Sequence, residues 1–155
     1  MKKITLTLIT LFYSLCLLAE DMDSEDAETF ANHYFAAWSA TQSPTASKED
    51  IENYLKILVD DVGHQHLPYD PIADRSPEGK SNMRKGMTYY LAGHTEYRSK
   101  LISVSTGYNV IIIKYSSDAK GKHPQTGEIV EITGTTIEVL EMENGKVSVI
   151  RKYSE

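Results

Sequence analysis

Hydrophobic positions follow two different rhythms along this chain. In the first part Ala27, Phe30, Ala31, Tyr34, Phe35 and Trp38 recur at i, i+3, i+4, i+7, i+8 and i+11, one apolar stripe of a helix. Carboxylates over residues 21–28 suit the start of that helix, because they complement its positive end. Pro44 breaks the pattern. Ser47-Lys48-Glu49-Asp50 has the form of a capping box, and Ile51, Leu55, Leu58, Val59 and Val62 continue as a second helical stripe. Residues 64–78 hold Pro68, Pro71 and Pro77 and cannot form a long helix. A third, shorter helix is predicted over about residues 81–91, with Met83, Met87, Tyr90 and Leu91 inward.

From Thr95 the period becomes two. Residues 101–105, 110–115, 129–142 and 147–153 are rich in β-branched and aromatic side chains and read as strands. Turn signals separate them at Thr106-Gly107-Tyr108-Asn109, over residues 118–127, and at Asn144-Gly145, a strong hairpin signal. Helices followed by an antiparallel meander give an α+β fold. The helical stripes are the only cover for the sheet, so a strongly curved antiparallel sheet wrapped round the N-terminal helices is expected, forming a cone with one open end. Gly134, mid-strand, is the expected bulge or bend.

The first residues change the picture of compartment. Lys2 and Lys3, an apolar run over residues 4–18 and Leu17-Leu18-Ala19 have the form of a cleavable signal peptide, which leaves one domain over residues 20–155 in the periplasm or the medium; a permanent N-terminal anchor is the alternative, for which the run is short. Leu15 before Cys16 argues against a lipoprotein site. Cys16 is the one cysteine, so the exported domain has no thiol or disulfide and rests on packing. The net charge of −6 becomes more negative when Lys2 and Lys3 leave, which argues against nucleic acid and anionic membrane surfaces as partners of the exported form.

Three groups could carry chemistry. His64 and His66, two apart, share a face of an extended segment. They are either half-exposed histidines at a junction or pocket-lining imidazoles able to move protons; Asp60, Asp61 and His94 lie near in sequence, but no metal-ligand spacing is present, and no metal is assigned. Glu138 shares its parity with Val130, Ile132, Leu140 and Met142, so it is either a desolvated proton donor or, if the strand is apolar on both faces, a solvent-facing carboxylate. Tyr34 and Trp38 stand one helical turn apart and are core residues unless the Tyr34 phenol meets a ligand oxygen. Ile129, Ile137 and Val139, on the opposite parity, are the expected outer sheet face through which two copies would dimerise.

Four segments resemble the SnoaL-like and ketosteroid-isomerase-like (nuclear transport factor 2-like, cystatin-like) superfamily. His33-Tyr34-Phe35-Ala36-Ala37-Trp38 resembles its first helix, Leu58-Val59-Asp60-Asp61-Val62 the end of its second, Glu78-Gly79-Lys80 the opening of its third, and residues 140–147, with Asn144-Gly145-Lys146-Val147, its final hairpin. The likeness covers nearly all of the exported part; its motifs are loose and speak for fold more than for activity. It implies a pocket for a small, largely apolar, oxygen-bearing molecule and, in an enzyme, cofactor-free isomerisation, cyclisation or dehydration by proton transfer. Carried over, it puts the oxyanion-donating tyrosine at Tyr34, the proton shuttle at His66 in place of an aspartate, and the protonated acid of the oxyanion hole at Glu138. His64 would orient His66 or bind ligand, with Trp38 and Tyr90 lining the pocket. A non-catalytic carrier or dimerising module is the alternative the same resemblance leaves open.

Overall fold

The computed structural model describes residues 24–123 and 125–154. The segment read as a signal peptide, residues 1–19, lies outside them. Three helices, α1 (Ser24–Gln42), α2 (Lys48–Leu55) and α3 (Gly79–Tyr90), accompany five strands: β1 (Leu58–Leu67), β2 (His94–Gly107), β3 (Val110–Lys122), β4 (Ile129–Glu143) and β5 (Lys146–Ser154). The strands form one curved, unclosed sheet in the order β1-β5-β4-β3-β2.

The first helical stripe forms as its spacing predicts. Ala27, Ala31 and Tyr34 are buried, and Phe30, Phe35 and Trp38 pack partly buried against the same core. The capping box forms too: the Asp50 backbone N–H donates to Ser47 Oγ at 3.3 Å and the Ser47 N–H donates to Asp50 Oδ2 at 2.8 Å. The second stripe needs a correction. Helix α2 stops at Leu55, and Leu58, Val59 and Val62 belong to strand β1. A short apolar run fits a helix or a buried strand equally well. Pairing decides here: Val147 N–H donates to the Ile57 carbonyl at 3.0 Å and opens a parallel ladder between β1 and β5. The sheet is therefore mixed, antiparallel everywhere except along β1–β5.

Both short hairpins match their turn signals. Asn144 and Gly145 take φ values of 51° and 73°, the left-handed pair that a two-residue hairpin needs, and Asn109 takes 51°. Gly134 carries no bulge, since it pairs with Ser117 in an unbroken register along β3–β4. The register slips elsewhere, at Leu58/Gly63, His94/Glu96, Leu101/Ser103 and Glu141/Met142. Of the inward residues predicted on α3, Met83, Met87 and Leu91 pack on the core, but Tyr90 is exposed, at the end of the helix. Ile137 and Val139 lie half-buried on the outer face, and Ile129 is exposed at the strand's far end.

Candidate functional site

Residues paired across neighbouring strands point to the same face of a sheet. On β1, β5, β4 and β3 one such row reads His66, Lys152, Glu138, Ile113. The row behind it reads His64, Ile150, Leu140, Ile111, all apolar but the first, and the row in front reads Ser154, Thr136, Tyr115. Ile113, Ile150, Leu140 and Tyr115 are buried, so this is the concave face that α1 covers. A line of polar groups thus crosses an otherwise apolar cup.

Glu138 is its centre. The carboxyl is 2 % exposed and sits where the period of two places it, between buried Thr136 and Leu140. Tyr34 Oη donates to Oε2 at 2.8 Å and Tyr115 Oη donates to Oε1 at 2.7 Å. Tyr34 has spent its hydrogen on Glu138, so at 3.0 Å it accepts from Tyr54. Burial, reinforced by the Glu138 charge, raises Tyr34, Tyr54 and Tyr115 above the usual phenol range, so all three remain donors. The chain Tyr54 to Tyr34 to Glu138, met from the other side by Tyr115, satisfies a carboxyl that would otherwise be costly to bury.

Lys152 stands beside it. Its Nζ lies 3.9 Å from Glu138 Oε1 and 4.8 Å from the centre of the Trp38 ring, with its side chain 17 % exposed. The contact with Trp38 is a cation–π geometry. Burial lowers the Lys152 ammonium from its usual range and Glu138 opposes that shift. Burial also lowers His64. His66 is lowered from 6.5 to about 4, first by burial and then by the charge on Lys152. Its imidazole is therefore neutral at neutral pH, with Nε2 3.4 Å from Ser154 Oγ and its ring tilted against Tyr69.

Beyond this row the concave face opens. The unbroken β3–β4 register continues the Glu138 face through Gly134 to Ile132 and Val130, which are 60 % and 36 % exposed. Trp38 bridges the two regions: its ring meets Tyr115 at 5.0 Å and Tyr97 at 6.2 Å, and Tyr97 stacks on His94 at 5.5 Å. Tyr97 Oη is buried beside Ser39 and Ser99, whose hydroxyls bond each other at 3.0 Å, and it makes no hydrogen bond among the described residues. The closed end of the cup is filled by Tyr34, Tyr54, Tyr115 and Glu138, whereas Ile132 and Val130 at this end are exposed. Two open concavities, of ≈ 480 Å³ by Phe30, His33 and Lys56 and ≈ 350 Å³ by Arg98, Asp118 and Glu131, lie elsewhere and do not reach Glu138.

Tyr34 and Glu138 are thus in direct contact, Trp38 lies over Lys152, and His66 and His64 stand on the same face two strands from Glu138. Tyr90 is outside the group: it is 60 % exposed and packs edge-on against Tyr89. Asp60 and Asp61 are held away by Lys80 and Arg75, and His94 bonds the Gln42 carbonyl oxygen at 2.9 Å. Among the described residues no three His, Asp or Glu side chains gather as a metal site would need. Sequence reading missed Lys152, Tyr97 and Tyr115 as members of the site. The signal for Lys152 was the period of two from Ile150, and for Tyr115 the same period from Ile111 and Ile113.

No family model and no curated protein matches this chain. Solved structures do. A protein of Shewanella denitrificans assigned to the SnoaL-like polyketide cyclases superposes with a TM-score of 0.64 at 11 % identity, over 83 % of this chain and 90 % of that one. The chain has the SnoaL-like fold. A ketosteroid isomerase-like protein of Erwinia carotovora atroseptica gives 0.56 at 13 % identity, over 83 % and 92 %. An LEH-like epoxide hydrolase of Mycobacterium tuberculosis gives 0.59 at 12 %, over 82 % and 84 %. Likeness at such identities speaks for the SnoaL-like architecture alone.

Proposed function

We propose that the chain is an exported SnoaL-like domain that holds a small, largely apolar molecule with a carbonyl-type oxygen at the open end of its concave face, where His66 moves a proton beside that oxygen. The observation that carries this reading is the row His66–Lys152–Glu138. It sets a neutral imidazole next to a half-buried positive charge that lies against the Trp38 ring. The imidazole takes a proton from the carbon next to the carbonyl, and the Lys152 charge stabilises the oxygen as it becomes negative. Tyr34 and Tyr115 serve the ligand indirectly, since both hydroxyls hold Glu138, which in turn anchors Lys152. The cyclase and epoxide hydrolase names borne by structural neighbours are consistent with a small-molecule site in this fold. Export is supported by Lys2, Lys3 and the apolar run after them; residues 1–23 fused to a reporter active only outside the cytoplasm should give an active reporter, and a silent fusion would remove export from the proposal.

The experiment for the chemistry is exchange of the methyl protons of 1-acetylnaphthalene in deuterated buffer, followed by proton NMR. The protein should accelerate the exchange, and His66→Ala should remove roughly 100- to 10,000-fold of that acceleration, the usual share of a general base. Exchange at the rate of buffer alone would overturn proton transfer. Quenching of the emission of Trp38, the single tryptophan, would show whether the ketone binds at all.

A further inference from the structure

Lys152 is unlike the other ion-paired lysines of this fold. Lys80 and Lys120 meet Asp60 and Glu131 at 2.7 and 2.6 Å, and both carboxylates are largely exposed. Lys152 faces a buried carboxyl at 3.9 Å, beyond hydrogen-bond reach, while each Glu138 oxygen accepts a phenol hydrogen. Among the described residues its ammonium makes no side-chain hydrogen bond; its neighbours are the Trp38 face and two imidazoles. A cation held by charge and by an aromatic face, with its hydrogens unspent, keeps its position and can still lose a proton. The adjacent His66, on the paired position of β1, is the group to take it.

We propose that Lys152 is a carbonyl-condensing residue, whose Nζ forms an imine with an aldehyde or ketone bound at the open end of the cup. This rests on the ligand reading above and names the ligand's reactive group. The ammonium gives a proton to His66 by way of a water. The freed nitrogen lone pair bonds to the carbonyl carbon while the C=O π electrons move to oxygen. That oxygen takes back the proton held by His66 and, after a second proton passes from nitrogen through the imidazole, leaves as water while the C=N bond forms. An ammonium and a carbonyl become a protonated imine and one water, with no redox partner and no net proton. The positive charge passes to the imidazole when the ammonium loses its proton and returns to the nitrogen, between Glu138 and Trp38, in the protonated imine. The protonated imine also withdraws electrons from the neighbouring C–H that His66 faces, which ties the two residues into one sequence.

The test is reductive trapping of the purified protein with 1-naphthaldehyde and sodium cyanoborohydride at neutral pH, read site by site by peptide mass spectrometry. The naphthylmethyl adduct should accumulate on Lys152 faster than on the exposed Lys85 and Lys100, since burial lowers the Lys152 ammonium and so raises its free-base fraction. His66→Gln should slow that adduct alone, and Lys152→Arg should abolish it without touching the others. Labelling of Lys152 no faster than Lys85 and Lys100 overturns the proposal. A parallel titration with naphthalene-1-carboxamide, whose carbonyl does not condense, separates the two readings. Quenching of Trp38 by the amide without the fast adduct removes the imine and keeps the ligand site. Neither quenching nor adduct removes both.

Discussion

At the scale of single residues, the molecule places its most expensive group, a buried carboxyl, where two phenols and an ammonium surround it. Removing that group leaves three polar partners without a purpose. Glu138→Ala should therefore cost about 3–5 kcal/mol, the range for breaking a buried charged arrangement from one side. Tyr34→Phe, which loses one hydrogen bond to Glu138 and one from Tyr54, should cost about 1–3 kcal/mol. Urea unfolding of the two variants checks both; a Glu138→Ala protein as stable as the parent would mean that the carboxyl's desolvation outweighs its bonds. His66 gives a prediction in pH. The folded chain holds it at about 4, against 6.5 ordinarily. Between those values the unfolded chain binds a proton that the folded chain refuses, so stability falls as pH drops from about 6.5 toward 4. His66→Gln should flatten that part of the profile, measured as urea midpoints between pH 7 and 5, and an unchanged slope would assign the loss to other groups. Sequence alone made Tyr34 and Glu138 visible as chemistry, because a phenol on an apolar helical stripe and a carboxyl on an apolar strand parity both violate their surroundings. Lys152 was hidden by its neighbours: Arg151-Lys152-Tyr153 reads as the wet end of a strand, and only the register against Glu138 shows that one of the two cations turns inward.

At the scale of elements, what was legible was whatever has local punctuation. The capping box at Ser47 and the Asn144-Gly145 hairpin needed no knowledge of the rest of the fold. Strand β1 had none: Leu58, Val59 and Val62 fit either period, and only the parallel ladder to β5, some ninety positions away in the chain, settles their state. Helix α3 then docks on β1, and its two glycines make opposite predictions. A Cβ on Gly79 would fall on the Val62 carbonyl oxygen, a backbone atom that cannot step aside, so Gly79→Ala should destabilise by about 1–3 kcal/mol, the range of an overpacking defect. Gly86, in the same helix, has nothing within 4 Å of that position. Gly86→Ala should stabilise by about 0.5–1 kcal/mol through helix propensity. Thermal unfolding of the two variants tests the docking of α3; shifts of the same sign would contradict it.

For the whole molecule, the change from helical to strand period near Thr95, together with loose family-like segments spread along the chain, was enough to reach a curved sheet around helices. It could not say how full the cup would be, because occupancy depends on which large side chains meet from different elements. Here Tyr34, Tyr54 and Tyr115, from α1, α2 and β3, converge on Glu138 and fill the closed end. Past the last β4–β5 pair, Thr136–Ser154, β4 carries the exposed Ile132 and Val130, and the row His66–Lys152–Glu138 lies one row back from that end. A ligand site there is the central claim, and a crystal structure with naphthalene-1-carboxamide, which neither condenses nor exchanges, tests it most directly. The amide oxygen should lie about 3 Å from Lys152 Nζ, within ordinary hydrogen-bond distance, with the naphthalene ring against Trp38. An amide seated instead in the concavity by His33 and Lys56, or on the outer face by Arg98, with Lys152 untouched, would contradict the account.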